Sequence, residues 1–314
     1  MPREVVVRAP TRIDLGGGWT DVPPYCDREG GFVCNVAITR YARVRLSDSS
    51  ATRNDRPQRD LVGVALERFG ISDDACVELH NDFPVAAGLG GSSAAIAAVL
   101  TAIAEWQNRS WKPAEIAEEG RRIEVDDMGV PGGRQDYYAA TYGGALALTF
   151  TNRVAVRRLP LSDTTRRALP ARSVLLYTGE SRISGDTITA VLDAYERRES
   201  RVLVALRHMR DLAEDMARAL ERDDLDTVGG LLDEHWEHQR SLHSSIPTPR
   251  IDEIVRQARE AGALGAKAMG ASGGGCVLVM TRADDIERVR RAVSPLGEVL
   301  DFEVDETGVA VERK

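Results

Sequence analysis

The chain is built around the sequence Pro84-Val-Ala-Ala-Gly88-Leu89-Gly90-Gly91-Ser92-Ser93-Ala94-Ala-Ile-Ala-Ala98. A short run at 76–79 precedes it and is predicted as a strand, and the alanine-rich run that follows predicts a helix to about residue 104. Glycine lets the backbone approach a ligand closely, and the first turn of a helix carries free N–H groups and the positive end of the dipole. This loop therefore suits an anion such as phosphate, although a loop that only caps a buried helix has a similar composition.

The spacing of these glycines excludes two common phosphate loops. No Gly-Lys-Ser/Thr follows them, as a Walker A loop requires, and the Gly-x-Gly-x-x-Gly pattern of dinucleotide-binding loops is missing. The segment resembles instead the Pro-x-x-x-Gly-Leu-Gly-Ser-Ser-Ala motif of the GHMP small-molecule kinases, whose loop wraps the phosphates of a nucleotide. One position departs from it, since Gly91 stands where sugar-kinase members often carry serine. The resemblance implies that ATP is bound by Pro84, Gly88, Leu89, Gly90, Gly91, Ser92 and Ser93.

Length, charge and cysteine content limit the classes of protein to consider. A chain of 314 residues with 43% hydrophobic residues forms one large or two modest soluble domains. A net charge of −8 argues against nucleic acid and anionic membranes as partners. The four cysteines form no Cys-x-x-Cys pair, which argues against a zinc site or a disulfide framework. Because charged sequence follows Met1 without a signal peptide or a long apolar run, we expect a cytoplasmic protein.

The N-terminal region contains a glycine triplet at 16–18 followed by Trp19-Thr20-Asp21, which predicts a tight turn with exposed backbone. Arg12 could bind a phosphate and Asp21 could bind hydroxyl groups, unless Asp21 only caps the turn before two prolines. The segment Arg8–Tyr25 resembles the opening motif of GHMP kinases, and more narrowly that of the fucokinase and heptose-phosphate kinase branch. The resemblance places Arg12 near the transferred phosphate. It also implies substrate contacts for Gly17, Gly18, Thr20 and Asp21.

Two acidic residues, Glu124 and Asp136, lie twelve residues apart on either side of a predicted sharp turn. A kinase needs a carboxylate for Mg²⁺ and often a second one at the acceptor hydroxyl. The segment Gly132–Ala139 resembles the one that carries the catalytic aspartate in GHMP sugar kinases. The resemblance implies Asp136 as the base with Arg12 nearby, although a helix N-cap is an alternative role for Asp136. It implies as Mg²⁺ ligands Glu124 and Ser93 (or Ser92).

The second half of the chain begins after a polar stretch around 160–170, which predicts domains at 1–165 and 166–314. The loop 178–186 is either a connector or a substrate loop. It resembles a segment of heptose-phosphate kinases, which implies that Arg182 contacts the sugar or its phosphate. The glycine-rich segment 262–280 resembles the third GHMP motif and departs from it at Ser272 and Cys276. That motif implies that Gly273 and Gly274 shape the substrate site.

A sugar phosphate, unlike a free sugar, would need a second cationic pocket for its own phosphate group. Candidate cations for such a pocket are Arg134, Arg182 and Lys267. The pattern predicts two strands at 32–38 and 41–46, separated by a turn at Thr39–Arg40, and one long helix at 187–222. His235 and His238 lie on the following helix without a third metal ligand nearby, so we expect solvated or packing side chains.

Three motifs in the order of the GHMP family, from Arg8 to Met280, imply an α+β fold in two parts. The expected parts are a ribosomal protein S5-like N-terminal domain and a ferredoxin-like α/β sandwich, with the active site in the cleft between them. The implied function is phosphorylation of a sugar phosphate with ATP and Mg²⁺, first of all a heptose 7-phosphate at its anomeric hydroxyl. The alternatives are a fucokinase-like enzyme for a free sugar, a catalytically silent sugar sensor and a superfamily decarboxylase. The partners expected are small molecules, and a homo-oligomer is left open.

Overall fold

Two antiparallel β-sheets with helices packed against them form this protein, in a computed structural model that describes residues 3–48, 60–72, 75–180 and 185–313. The strands are β1 (Glu4–Gly16), β2 (Gly31–Ser47), β3 (Cys76–Asn81), β4 (Ala145–Phe150), β5 (Val154–Leu159), β6 (Ser173–Tyr177), β7 (Gly265–Ala268), β8 (Cys276–Met280), β9 (Glu298–Val299) and β10 (Ala310–Val311). The helices are α1 (Tyr25–Glu29), α2 (Leu61–Arg68), α3 (Gly91–Trp106), α4 (Pro113–Arg121), α5 (Gln135–Tyr142), α6 (Asp163–Ala171), α7 (Gly185–Glu196), α8 (Ser200–Glu221), α9 (Leu225–Ser241), α10 (Pro249–Glu260) and α11 (Ile286–Val293). A π-helical turn, Arg122–Asp127, extends α4, and short 3₁₀ turns lie at Ala283–Asp285 and Ser294–Leu296.

The first sheet has the strand order β10-β1-β2-β4-β5, and β3 also pairs with β2. The prediction of two strands at 32–38 and 41–46 is wrong, because β2 is one continuous strand. In its ladder with β1, Pro10 lies opposite Tyr41 and Thr11 lies opposite Ile38, so Thr39–Arg40 are extra residues in the ladder. Such a bulge bends the strand without ending it.

The alanine-rich helix α3 packs against β1 and β2 of the first sheet. Its residues 93–100 are all buried. Alanine has the highest helix propensity, and its small side chain allows a helix to lie close to a sheet. The sequence that follows the glycine loop therefore anchors the loop to the core.

The second sheet has the strand order β7-β8-β6-β9. The predicted single helix at 187–222 is divided into α7 and α8, and Arg198 between them has a left-handed φ of 56°. Helix α8 contacts both β2 of the first sheet and α9, and its Met216 lies in one hydrophobic cluster with Ile13 and Leu278. A shared core thus joins the two halves.

The end of the chain returns to the first sheet. Strand β10 pairs with β1, and Val304 forms a bridge with Ile38. The domain boundary near residue 165 stays a prediction, but residues 304–311 lie with the first half of the chain.

In the part of the chain that the structure describes, no helix has both the length and the apolar character needed to cross a bilayer.

Candidate active site

A cavity of about 740 Å³ lies where the glycine loop, the N-terminal turn and the segment 129–133 meet. Four residues of the second half, Gly185, Ile188, Gly270 and Ala271, also line it. The cavity brings together most of the residues that the sequence predicts for the site. These are Arg12, Gly18, Asp21, Pro84, Gly88, Leu89, Gly90, Gly91, Ser92, Ser93, Glu124 and Asp136.

The glycine loop depends on the absence of side chains. Gly88 and Gly90 both have a φ of 75°, in the left-handed region. A Cβ at Gly88 would lie 2.7 Å from the carbonyl oxygen of Met269, and one at Gly90 would lie 3.1 Å from the Asp136 carboxylate. A side chain at Gly91 would clash with the ring of Phe83 in the position that the ring has here. The loop leads directly into α3, whose N-terminus has no side-chain cap.

Arg12 connects the predicted base to the glycine loop. Its Nε donates to Asp136 Oδ1 at 2.8 Å, and its Nη1 donates to the Gly88 carbonyl oxygen at 2.7 Å. Burial raises the pKa of Asp136, while the Arg12 guanidinium opposes this shift. The residue that caps α5 is Arg134, so Asp136 is not an N-cap and its alternative role is excluded. The geometry places a carboxylate, a guanidinium and free helix amides in one cavity.

Asp21 lies in the same wall as Asp136. Its Oδ2 accepts a hydrogen bond from the backbone N–H of Gln135 at 2.9 Å, at the start of α5. A Cβ at Gly133 would clash with this carboxylate, so the contact requires glycine. Burial raises the pKa of Asp21 from 3.8 to about 7. Asp21 therefore positions the chain that carries Asp136.

The raised pKa of Asp21 makes stability depend on pH. Between pH 4 and 7 the folded protein binds more protons at Asp21 than the unfolded chain does, so this contribution to stability is present at low pH and is lost as the pH rises through 7. From pH 6 to 8 we expect the free energy of unfolding to fall by about 1 kcal/mol through this group. Urea unfolding of Asp21→Asn should lack this part of the pH dependence. Identical pH profiles for the variant and the wild type would contradict the assignment.

Glu124, in the π-helical turn, faces the first turn of α3. Its carboxylate accepts hydrogen bonds from the hydroxyls of Ser92 and Tyr137. Ser92 is exposed, whereas Ser93 is buried. The expectation that Ser93 accompanies Glu124 is therefore corrected to Ser92, the alternative serine.

The pair Ser92–Glu124 fits a magnesium ion. Both groups are oxygen donors beside the glycine loop, and Mg²⁺ in kinases is held by one or two protein oxygens together with water and substrate phosphates. Within the described ranges, no three or more His, Cys, Asp or Glu side chains are grouped as metal ligands. Bound there, Mg²⁺ would neutralise phosphate charge.

Removal of the Glu124 carboxylate should weaken this site. We expect Glu124→Gln to raise the Mg²⁺ concentration for half-maximal activity by at least about 10-fold, because a ligand charge is lost. Glu118→Gln is the matched control, since Glu118 lies on α4 and accepts a hydrogen bond from Tyr138 at 2.7 Å outside the cavity. An unchanged Mg²⁺ requirement in Glu124→Gln, measured by titration of activity, would remove Glu124 from the metal site.

Four residues that the sequence predicts as substrate contacts make hydrogen bonds or packing contacts within the protein instead. The fully buried Thr20 donates its hydroxyl to the carbonyl oxygens of Gly17 and Phe32, at 2.6 and 3.0 Å. The Gly17 N–H donates to His235 Nε2 at 2.9 Å. Gly273 N–H donates to the Ile246 carbonyl oxygen at 2.8 Å, and Gly274 packs against the backbone of Glu180. None of the four lines the cavity.

Ser272 is the first departure from the third motif of the family. Ser272, where the family has glycine, adopts a left-handed φ of 68°, and its hydroxyl accepts a hydrogen bond from Gln239 at 3.0 Å.

Of the cations predicted for a second phosphate pocket, Arg182 lies outside the described residues. Arg134 is half-buried and does not line the cavity, although its neighbours Gly133 and Gln135 do. Its Nε has no hydrogen-bond partner among the residues with described positions.

Lys267 is not a substrate cation. It is fully buried on β7, and its Nζ donates to the backbone oxygen and Oδ2 of Asp14, at 2.6 and 2.8 Å. The sequence did not predict this pair. A packing role was among the expectations for His235, but its contact with Gly17 was not predicted. The signal available was Lys267 itself, a charged residue in β7 among the small residues Gly265, Ala266 and Ala268. His238 is half-buried and stacks on His208 at 4.7 Å.

Comparison with known proteins identifies the family whose models match this chain. The model of the GHMP kinase N-terminal domain matches residues 59–144 and that of the GHMP kinase C-terminal domain matches residues 216–297, together more than half of the chain. A D-glycero-alpha-D-manno-heptose 7-phosphate kinase from Campylobacter jejuni is 27% identical over 98% of this chain and 98% of its own. The bifunctional fucokinase/GDP-fucose pyrophosphorylase of Arabidopsis thaliana is 25% identical over 96% of this chain and 32% of its own. The crystal structure of a D-glycero-D-manno-heptose 1-phosphate kinase from Bacteroides thetaiotaomicron has a TM-score of 0.78 at 25% identity and covers 99% of both chains. These matches confirm the predicted two-part α+β fold.

Proposed function

The chain belongs to the GHMP kinase family, and we propose that it transfers the γ-phosphoryl group of ATP to the anomeric hydroxyl of a heptose 7-phosphate. The observation that carries the proposal is the pair Arg12–Asp136, held against the glycine loop by the hydrogen bond from Arg12 to Gly88. A carboxylate for the acceptor hydroxyl and amides for the donor phosphates therefore share one cavity. Phosphoryl transfer depends largely on this kind of alignment and on stabilisation of charge.

The glycine loop and the end of β3 suit the nucleotide. The first-turn amides of α3 bind phosphate oxygens, since they carry free N–H groups and the positive end of the helix dipole. Beside the loop, Leu79 and Val85 are 41% and 78% exposed, and both line the cavity. A nucleotide base that covered them would remove apolar surface from water.

Asp136 and Arg12 have separate roles at the reacting groups. Asp136 accepts the proton of the acceptor hydroxyl or orients that hydroxyl for attack, and burial favours proton uptake because it raises the pKa of the carboxyl. Arg12 stabilises the charge that develops on the transferred phosphoryl group. Mg²⁺, held by Ser92 and Glu124, would supply further neutralisation of the phosphates.

The choice of acceptor is supported by the relatives. The heptose 7-phosphate kinase matches over 98% of its own length, whereas the fucokinase matches over 32% of its own length. Phosphorylation of a free sugar is the second candidate, because a fucokinase is among the relatives. A silent sensor is disfavoured by the presence of Asp136 in a hydrogen-bonded pair with Arg12.

A panel of acceptors tests the proposal. Free sugars and sugar 1-, 6- and 7-phosphates are incubated with ATP and Mg²⁺, and products are read by phosphorus NMR. We expect turnover of heptose 7-phosphate at a kcat/KM far above that of free fucose. Preferred turnover of fucose would support the second candidate, and the absence of product from every sugar would overturn the proposal.

Arg134 should distinguish a sugar phosphate from a free sugar. We expect Arg134→Gln to raise KM for heptose 7-phosphate by roughly 10-fold, because a charge-assisted hydrogen bond to the phosphate is lost, and to change KM for free heptose less than about twofold. The control is Arg167→Gln, at an exposed arginine on α6 away from this cavity. Equal effects of Arg134→Gln on both acceptors, in initial-rate assays, would exclude Arg134 from phosphate recognition.

A further inference from the structure

The N-terminal turn that enters the cavity has an unusual backbone. Gly17 has a φ of 89° and Trp19 has a φ of 78°. The left-handed region is rare for a bulky aromatic residue and costs free energy, so it persists only where the surroundings hold it. Trp19 lines the cavity and is 7% exposed. Something in the fold must therefore fix this turn.

One support comes from α9, in the second half of the chain. His235 is fully buried, and its Nε2 accepts the hydrogen bond from Gly17 N–H at 2.9 Å. Burial lowers the pKa of His235 well below its ordinary value, so the ring stays neutral. In a neutral ring with Nε2 as acceptor, the proton is on Nδ1. His235 is thus a fixed acceptor for the backbone of the turn.

A second support comes from β7. The buried Lys267 holds Asp14, and a Cβ at Gly18 would clash with the same Asp14 carboxylate. The carboxylate therefore lies directly against the turn. Because Lys267 compensates its charge, Asp14 keeps an ionised side chain there, and its pKa is lowered although burial opposes this.

We propose that His235 and Lys267 are positioning residues, which hold the Gly17–Trp19 turn in the geometry that binds the phosphoryl acceptor. The second half of the chain thereby controls acceptor binding without touching the acceptor. This inference rests on the proposed function, since the acceptor is the ligand assigned to this part of the cavity. It predicts that loss of either residue affects the acceptor and spares ATP.

The kinetic test compares His235→Leu with His235→Gln. Leucine cannot accept the Gly17 N–H, so we expect KM for heptose 7-phosphate to rise about 10-fold while KM for ATP stays within about twofold. Glutamine retains an acceptor oxygen and should restore most of the loss. His238→Leu, on the same helix, is the control and should change neither constant. Equal KM values for His235→Leu and wild type, or equal rises for both substrates, would overturn the proposal.

The second test removes the ion pair between Lys267 and Asp14. We expect Lys267→Met to raise KM for the acceptor selectively, and Asp14→Asn/Lys267→Met to recover part of the loss, because no uncompensated carboxylate is left under the turn. A double variant that is no better than Lys267→Met, with both folded by circular dichroism, would contradict the role of the pair.

A third readout needs no acceptor and also serves if a kinetic variant is inactive. The indole N–H signal of Trp19 is assigned in a proton–nitrogen NMR spectrum by its loss in Trp19→Phe, or by elimination with the other three tryptophans replaced. We expect this signal to move in His235→Leu and to stay in place in His235→Gln and His238→Leu. An unmoved signal in folded His235→Leu overturns the positioning role even if a sugar is phosphorylated. A moved signal without any phosphorylated sugar leaves that role standing and overturns the proposed function.

Discussion

Replacement of Asp136 by asparagine should lower kcat by about 10³-fold, within the range that general acid–base groups contribute. Asparagine has nearly the same shape and keeps an oxygen to accept from Arg12 Nε, so the hydrogen bond of 2.8 Å can persist. What is lost is the negative charge and the ability to accept a proton from the acceptor hydroxyl. KM for ATP should change less than about twofold, because the donor phosphates bind the amides of α3.

Initial rates with ATP and heptose 7-phosphate, read by phosphorus NMR, measure this effect. The control is Asp127→Asn, at an exposed aspartate paired with Arg68 at 2.9 Å outside the cavity. Its kcat should equal that of the wild type. A kcat for Asp136→Asn near the wild-type value would show that the proton leaves by another route.

The second large effect is expected at Arg12. Arg12→Met removes the cation beside the transferred phosphoryl group, which should lower kcat by about 10²-fold or more. It also removes the hydrogen-bond donor of the half-buried Asp136 carboxylate, and the free energy of unfolding should fall by about 2 kcal/mol. Because Arg12 lowers the pKa of Asp136, its loss should move the acidic limb of the kcat/KM profile to higher pH.

Three measurements on Arg12→Met check this, namely kcat, urea unfolding and the pH profile. Arg43→Met is the matched control, since Arg43 lies on the adjacent strand and pairs with Asp82 at 3.1 Å on the surface. Exposed ion pairs contribute little, so we expect a loss of less than about 1 kcal/mol there. Equal kinetic and stability losses in both variants would mean that Arg12 acts only as a structural residue.

Local chemistry explains which site residues the sequence could predict. Glycines at a helix start, an arginine and two carboxylates each suggest a role through residue type alone, and the structure places Arg12, Glu124 and Asp136 in one cavity. The sequence alone could not decide whether Ser92 or Ser93 contacts Glu124. Adjacent side chains on a helix point about 100° apart, so only the packing of α3 against Glu124 decides which hydroxyl reaches it.

Long-range pairing explains most of what the sequence could not predict. Lys267 reads as a cation for a substrate phosphate because its partner, Asp14, lies 253 residues earlier. Thr39–Arg40 have the composition of a turn, and their place in a bulge of β2 is set by the ladder with β1. Thr20 reads as a polar substrate contact, yet its hydroxyl satisfies backbone oxygens that the local sequence does not reveal.

The central claim is that this cavity transfers a phosphoryl group to the anomeric oxygen of a sugar phosphate. Heptose 7-phosphate labelled with ¹³C at C1, incubated with ATP, Mg²⁺ and the enzyme, tests it most directly by phosphorus NMR. We predict a new phosphomonoester signal that is split by coupling to the labelled carbon and that grows in step with ADP. A new phosphomonoester without this coupling, or ADP accompanied only by inorganic phosphate, would contradict the claim.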